Sequence, residues 1–107
     1  MKVMNRDICP ITRASRIIGD QWSLLILREL FFQEPRRFRD FEELLGVSPN
    51  TLSARLKKLE QAQMIKRQMY STHPPRAEYC LTEKGRAFGP VLEALYDWGD
   101  AHTPKET

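Results

Sequence analysis

Reactive and metal-binding side chains are scarce in this sequence of 107 residues. There are two cysteines and two histidines, and His73 and His102 fall in a predicted loop and a predicted tail. Neither a nucleophile–base pair nor a metal-ligand set can be assembled from so few groups, which argues against an enzyme, a metal site or a bound cofactor. Two cysteines also make no disulfide framework.

Long apolar runs are missing as well. No stretch approaches the roughly 18 consecutive apolar residues of a membrane-spanning helix. The first ten residues mix charged and apolar side chains and lack the apolar segment of a secretory signal. We therefore expect no membrane partner and a cytoplasmic location. The composition, 41% hydrophobic and 29% charged, predicts one globular domain over residues 1–107.

Charge is unevenly distributed along the chain. The net charge is only +3, but residues 36–76 contain nine basic and four acidic residues, so that this segment carries +5 and the remainder −2. A basic middle between mildly acidic ends is typical of a protein with one face that meets phosphates. The alternative is an ordinary solvated surface.

A break between two helical segments lies at Gly46-Val47-Ser48-Pro49. Gly46 allows a tight turn, Ser48 is a preferred N-cap, and Pro49 suits a first helical position, so a new helix is predicted to begin at Pro49. Leucines recur within it at i, i+4 and i+7 and predict one buried stripe, with polar residues on the other side: Leu52, Leu56 and Leu59.

Three helical segments precede this break, near residues 10–19, 21–32 and 37–45. Asp20 is the expected N-cap of the second helix, and Glu34 and Pro35 should end it. The apolar spacing of the first helix predicts a buried side formed by Ile11, Ala14, Ile17 and Ile18.

Two strand-like segments, residues 65–70 and 77–82, follow the break and predict a β-hairpin. Its six-residue connection contains two prolines and should be a stiff, exposed tip. Thr82 is the expected cap of a last helix that Gly89-Pro90 kinks or interrupts. The fold class is therefore mainly α with a small β-hairpin (α+β), a winged helix-turn-helix.

With these motifs in order, the chain resembles the HxlR-type family of bacterial winged helix-turn-helix transcription regulators, relatives of the MarR type. The resemblance covers about residues 9–99. It rests on the order and spacing of Cys9-Pro10, Ile18-Gly19-Asp20-Gln21-Trp22, Leu25-Ile26-Leu27, Arg37-Phe38, Phe41, Leu44, Ser48, Leu52, Arg55, Leu56, Leu59, Glu60, Tyr70, Pro75, Glu78-Tyr79, Leu81-Thr82, Gly85, Pro90 and Trp98.

The resemblance implies a homodimer on a palindromic DNA operator, with one recognition helix per subunit in the major groove and dimer contacts from the terminal helices. Two positions depart from the family pattern. Gln63 stands where a glycine usually follows the recognition helix, which predicts an end without a left-handed glycine cap. Asp20-Gln21 stands where Gly-Lys or Gly-Arg usually precedes the tryptophan. Neither change is expected to touch the DNA-facing surface.

Duplex DNA contacts are predicted at three places. Short polar groups and cations of the recognition helix suit base edges and phosphates, and the candidates are Ser48, Asn50, Thr51, Ser53, Arg55, Lys57 and Lys58. The hairpin, or wing, offers His73 and Arg76. Phosphate contacts are predicted at the start of the third helix for Arg36, Arg37 and Arg39, although Arg37 could instead pair with Glu42 or Glu43.

Cys9 precedes a predicted helix N-terminus, where the helix dipole favours a thiolate. The resemblance implies sensing of an oxidant or electrophile at this position, and the competing interpretation is a small residue that fills the dimer interface. Cys80 is predicted to be inert. A small-molecule effector is also conceivable, although no residue pattern identifies its pocket.

The C-terminal helix carries an apolar stripe that predicts a homodimer interface, formed by Phe88, Leu92, Leu95, Tyr96 and Trp98. An alternative function for the whole chain is a winged-helix module for protein–protein assembly that binds no specific DNA, because the fold does not dictate the function.

Overall fold

The computed structural model describes residues 9–106 and, within them, six helices and one three-stranded sheet. The elements in chain order are α1 (Pro10–Ile18), α2 (Gln21–Phe32), β1 (Arg36–Arg37), α3 (Phe38–Leu45), α4 (Pro49–Gln61), β2 (Ile65–Thr72), β3 (Pro75–Leu81), α5 (Glu83–Arg86) and α6 (Gly89–His102). This is the predicted winged helix-turn-helix, mostly helical with a small antiparallel sheet.

Helix α2 begins as predicted, with Asp20 as its N-cap. The Asp20 carboxylate accepts hydrogen bonds from the Ser23 backbone N–H at 2.8 Å and from the Ser23 hydroxyl at 2.7 Å. The first of these bonds satisfies a backbone donor that the first helical turn leaves unpaired. Ile26, Leu27 and Leu30 of the same helix are fully buried, so α2 is central to the core.

The turn between α3 and α4 follows the sequence signals closely. Gly46 has φ +64°, a left-handed conformation that glycine adopts without a Cβ penalty, and its N–H donates to the Glu42 carbonyl at 3.0 Å. The Ser48 hydroxyl accepts a hydrogen bond from the Thr51 N–H at 3.3 Å, and α4 begins at Pro49. The predicted break and the predicted start of the recognition helix are therefore confirmed.

Helix α4 ends in a left-handed cap that contains no glycine. Gln63 has φ +61°. Its N–H donates to the Glu60 carbonyl, and the Met64 N–H donates to the Leu59 carbonyl, both at 3.0 Å. This pair of bonds is the Schellman motif. The sequence predicted an end without a glycine cap, and the finding is that glutamine adopts the conformation instead.

The wing is longer, and its tip shorter, than the sequence predicted. Strands β2 and β3 pair antiparallel from Ile65↔Leu81 to Thr72↔Pro75, so only His73 and Pro74 connect them. The predicted six-residue connection was wrong because Ser71 and Thr72 continue the ladder. A third strand, β1, pairs Arg36 with Tyr79 on the other edge of β3.

Thr82 caps α5, where its hydroxyl accepts a hydrogen bond from the Gly85 N–H at 3.0 Å. Gly85 is buried, and a Cβ at this position would lie 2.0 Å from the Met64 carbonyl oxygen, so α5 packs directly on the end of the recognition helix. Helix α5 ends at Arg86 and α6 begins at Gly89. The predicted interruption at Gly89-Pro90 is confirmed.

The core lies between α2, α3, α4 and the base of the wing, where residues from all four places are buried: Ile26, Leu27, Leu30, Phe41, Val47, Leu52, Leu56, Leu59, Met64, Ile65 and Leu81. Helix α1 contributes less than predicted. Ile11 is 69% exposed and Ala14 is exposed, whereas Ile17 and Ile18 pack against the core. The predicted buried side of α1 was therefore wrong in its first half. Among residues 9–106, every helix is too short or too polar to span a bilayer.

Candidate nucleic-acid interface

Helix α4 divides into a buried side and an exposed side. Leu52, Leu56 and Leu59 are at most 2% exposed and anchor the helix to the core. The other side of the helix reaches solvent, and its exposed residues are Pro49, Asn50, Ser53, Ala54, Lys57 and Gln61. The leucine stripe thus fixes which side of the helix is free to contact another molecule.

The N-terminus of α4 carries the short polar residues that the sequence singled out. Ser48 is exposed and Thr51 is half-buried, and the Ser48 hydroxyl donates to the Thr51 hydroxyl oxygen at 3.0 Å in addition to capping the helix. Asn50 is exposed at the first turn, where the positive end of the helix dipole favours an anion.

Two of the predicted DNA-contacting cations share a partner inside the protein. Arg55 Nε lies 3.5 Å from Asp20 Oδ1, and Lys58 Nζ donates to Asp20 Oδ2 at 3.1 Å. Asp20 was expected not to touch the DNA-facing surface, but its carboxylate contacts this helix directly. Lys57 is exposed and makes no ion pair within residues 9–106.

The charge of Asp20 is maintained by these contacts. Burial acts to raise the pKa of the Asp20 carboxyl, but hydrogen bonds from Ser23 and Lys58 and the Lys58 charge outweigh it, so this pKa lies below its usual 3.8. The carboxylate is therefore ionised at neutral pH. No local sequence signal reveals the Lys58 contact, because 38 residues separate the two side chains.

The wing has exposed basic residues at two places, the tip and the base of the hairpin. His73 and Arg76 are exposed at its tip, and the Thr72 hydroxyl lies 3.0 Å from His73 Nδ1. Lys66 and Arg67 are exposed on β2, nearer the base. The sequence analysis counted these two charges in the basic segment without assigning them a contact, although their position in a strand was a usable signal.

The three arginines around the start of α3 have different surroundings. Arg36 keeps only 14% side-chain exposure, because its Nε donates to the Glu29 carbonyl at 3.0 Å and a terminal nitrogen lies 3.5 Å from the Glu29 carboxylate. Arg37 lies over the Tyr70 ring at 4.6 Å, a cation–π contact with the wing. Arg39 is exposed and pairs with Glu43 at 3.1 Å.

The structure therefore separates the predicted contacts into exposed and occupied groups. Four of the predicted contact residues have exposed side chains: Lys57, Arg39, His73 and Arg76. The Arg36 side chain is mostly buried and forms an ion pair with Glu29. Of the two alternative partners suggested for Arg37, Glu43 is paired with Arg39, and Glu42 makes no ion pair with Arg37 among residues 9–106. The phosphate contacts of all three arginines remain predictions.

The two cysteines lie in unlike environments. Cys9 is 7% exposed and stands at the N-cap position of α1. Cys80 is half-buried on β3, where burial raises the pKa of its thiol and the nearby Glu34 and Glu78 carboxylates add to the increase. The raised pKa disfavours a reactive thiolate at Cys80. Within residues 9–106, no group of His, Cys, Asp and Glu side chains is arranged to hold a metal ion.

Helix α6 exposes much of its apolar surface. Leu95, Tyr96 and Trp98 are 46%, 73% and 61% exposed, whereas Phe88 and Leu92 pack partly against the core. An open groove of about 840 Å³ runs between α2 and α6, with apolar walls that include Leu24, Leu25, Phe32, Leu95 and Tyr96. Large apolar side chains exposed next to one another are typical of an interaction surface.

Comparison with known proteins agrees with this architecture. The family model described as HxlR-like helix-turn-helix matches residues 17–107. An uncharacterised HTH-type transcriptional regulator of Synechocystis sp. is 40% identical over 100 residues, which cover 94% of this chain and 74% of the relative. A regulator of the same description from Mycobacterium bovis is 42% identical over 95 residues, but the chain spans only 60% of its length.

Among solved structures, the redox regulator HypR in its reduced form superposes with a TM-score of 0.80 at 27% identity. The match covers 86% of this chain and 91% of HypR. The shared architecture therefore extends over nearly the whole chain.

Proposed function

This chain belongs to the HxlR-like helix-turn-helix family of transcription regulators, and we propose that it binds specific duplex DNA as a homodimer on a two-fold symmetric operator. The observation that carries the proposal is that α4 has two different sides. Its leucine side is buried in the core, and its polar and cationic side is exposed to solvent. A recognition helix needs this arrangement, because one side must be held while the other enters the major groove.

Each exposed group on α4 matches a feature of duplex DNA. The Asn50 amide can donate to and accept from an adenine edge, and Ser53 can bond to a base or a phosphate. Lys57 neutralises backbone charge. At the wing tip, Arg76, with its planar guanidinium donors, is a better candidate for a minor-groove contact than His73.

A homodimer would cover the apolar surface that one protomer leaves open. Leu95, Tyr96 and Trp98 of α6 and Ile11 of α1 are exposed, and burial of such side chains is the main driving force of association. A two-fold dimer would present two recognition helices about one DNA turn apart, near 34 Å, and would therefore bind a palindromic site. The proposed location of this binding is the cytoplasm.

The test is an electrophoretic mobility shift with DNA flanking the protein's own gene, run against a random duplex at two salt concentrations. We expect Asn50→Ala to weaken specific binding by about 1–3 kcal/mol and to relax the preference at particular base pairs. Gln61→Ala, at the other end of the exposed side, is the matched control and should bind like the wild type. Unchanged base preferences in Asn50→Ala would contradict the assignment.

A redox response through Cys9 is the second part of the proposal. Its first support is the position of Cys9 at the start of α1, next to the exposed Ile11 of the proposed dimer surface. Its second support is the similarity to the redox regulator HypR. Oxidation of a buried thiol at this position would disturb the packing of α1. Oxidant should release DNA from the wild type and from Cys80→Ser but not from Cys9→Ser. Equal release from all three would sink the hypothesis.

The competing function is protein–protein assembly without specific DNA binding. It predicts that no duplex is preferred in either the reduced or the oxidised state, so the same mobility-shift experiment decides between the two. A small-molecule effector in the groove between α2 and α6 would appear as a ligand that shifts DNA affinity while Cys9→Ser leaves the shift intact.

A further inference from the structure

Asp20 joins the start of α2 to the middle of the recognition helix through one carboxylate. Both oxygens accept hydrogen bonds from Ser23 of its own helix. The same oxygens lie 3.5 Å from Arg55 Nε and 3.1 Å from Lys58 Nζ on α4. Capping α2 requires only one oxygen acceptor, which a neutral side chain can also supply. The full negative charge of Asp20 interacts with the dipole of α2 and with the two cations of α4.

The position of the two cations on α4 gives this contact a functional meaning. Arg55 and Lys58 are three residues apart and therefore lie on the same side of the helix. Their side chains keep 37% and 33% exposure, so each is paired internally and is still accessible to a DNA phosphate. Arg55 Nε itself is buried without a hydrogen bond, so its interaction with Asp20 is purely electrostatic in this geometry.

We propose that Asp20 tunes the DNA affinity of the recognition helix, because its carboxylate offsets part of the positive charge of Arg55 and Lys58 and thereby lowers the affinity of this helix for DNA of any sequence. This inference rests on the proposed DNA-binding function. Phosphate attraction is independent of sequence and supplies nearly all non-specific binding. An internal anion that competes with phosphates for two cations weakens this common term, while the base contacts of Asn50 and Ser53 are left unchanged.

Asp20→Asn tests the inference with little damage to the fold, because asparagine caps a helix as well as aspartate does. We expect the variant to bind a random duplex about threefold to tenfold more tightly at low salt, and its plot of log affinity against log salt to be steeper by about one unit per protomer. Binding to the DNA flanking its own gene should improve by a similar factor, because the phosphate term is common to every sequence and the base contacts are unchanged.

Glu60→Gln is the matched control, because it removes one negative charge as Asp20→Asn does. Glu60 lies on α4 and makes no ion pair within residues 9–106. It should leave the salt slope near that of the wild type. Asp20→Ser, which also supplies a cap, should reproduce the effect of Asp20→Asn. In an Arg55→Gln/Lys58→Gln background, Asp20→Asn should no longer change the slope.

The outcomes separate the two proposals. If the wild type prefers its own flanking DNA and Asp20→Asn has the affinity and salt slope of Glu60→Gln, the Asp20 inference fails and the DNA-binding function stands. A variant that binds both duplexes more weakly would likewise overturn it and leave Asp20 a structural cap. If the wild type binds neither duplex, the proposed function fails and Asp20 has no such role.

Discussion

Helices α4 and α6 carry apolar stripes of similar spacing, but the apolar side chains of the two helices differ in burial. The α4 leucines are at most 2% exposed, whereas Leu95 and Trp98 of α6 are 46% and 61% exposed. A helical repeat of apolar residues indicates that one side of the helix packs against apolar surface. It does not indicate whether that surface belongs to the same chain or to another molecule. In α4 the partner is the core of the same chain, whereas the chain itself leaves Leu95 and Trp98 of α6 uncovered.

The largest effect is expected from Leu56→Ala, which leaves a cavity in the centre of the α4 contact. Loss of a fully buried leucine side chain should lower the free energy of unfolding by about 2–5 kcal/mol. Urea denaturation followed by circular dichroism measures this loss. A cost below 1 kcal/mol would mean that the α4 stripe is less enclosed than its exposure indicates.

The next effect is expected from Leu95→Glu, which places a charge on the open side of α6. If a second copy covers this side, burial of the charge should weaken association by roughly 2 kcal/mol per protomer or more. Sedimentation should then show a 12.6 kDa monomer in place of a dimer.

Ala101→Glu adds the same charge at an exposed position near the end of α6 and should leave the dimer intact. Dimers of unchanged stability in Leu95→Glu would remove the contrast between the two helices, because α6 would then have no external partner at this residue.

A smaller effect is expected at the end of α4, where Gln63 has φ +61°. Gln63→Gly should raise the free energy of unfolding by about 1 kcal/mol, because glycine adopts the left-handed conformation without steric cost. Thermal melting measures the gain. No increase would indicate that the Gln63 side chain offsets the cost through contacts of its own.

The smallest effect on stability is expected for Arg39→Ala. Its ion pair with Glu43 is exposed on both sides and contributes well under about 1 kcal/mol. If Arg39 contacts a phosphate, however, the salt slope of DNA binding should fall by about one unit per site. A changed melting temperature with an unchanged slope would assign Arg39 to the protomer alone.

Much of this architecture was accessible from the sequence because its signals are local. Asp20, Ser48 and Thr82 cap helices where predicted, and the leucine period of α4 identified its buried side. Pro90 sits in the first turn of α6, as its missing N–H allows.

The features that escaped prediction depend on tertiary contacts. Strand β1 is two residues long, too short for any pattern, and exists because β3 offers it an edge. The contact between Asp20 and Lys58 joins residues 38 positions apart. Ile11 has the period of a buried residue, yet its 69% exposure depends on what the rest of the protomer provides.

The pairing of the wing also has a consequence for the order in which the protein opens. Strand β1 supports β3 only at Glu78 and Tyr79, so beyond these residues the hairpin is a two-stranded ribbon. Such ribbons are marginally stable in water. Amide hydrogens near Thr72 should therefore exchange with solvent sooner than those near Ile65, and a ligand that immobilises the tip must offset the entropy lost there.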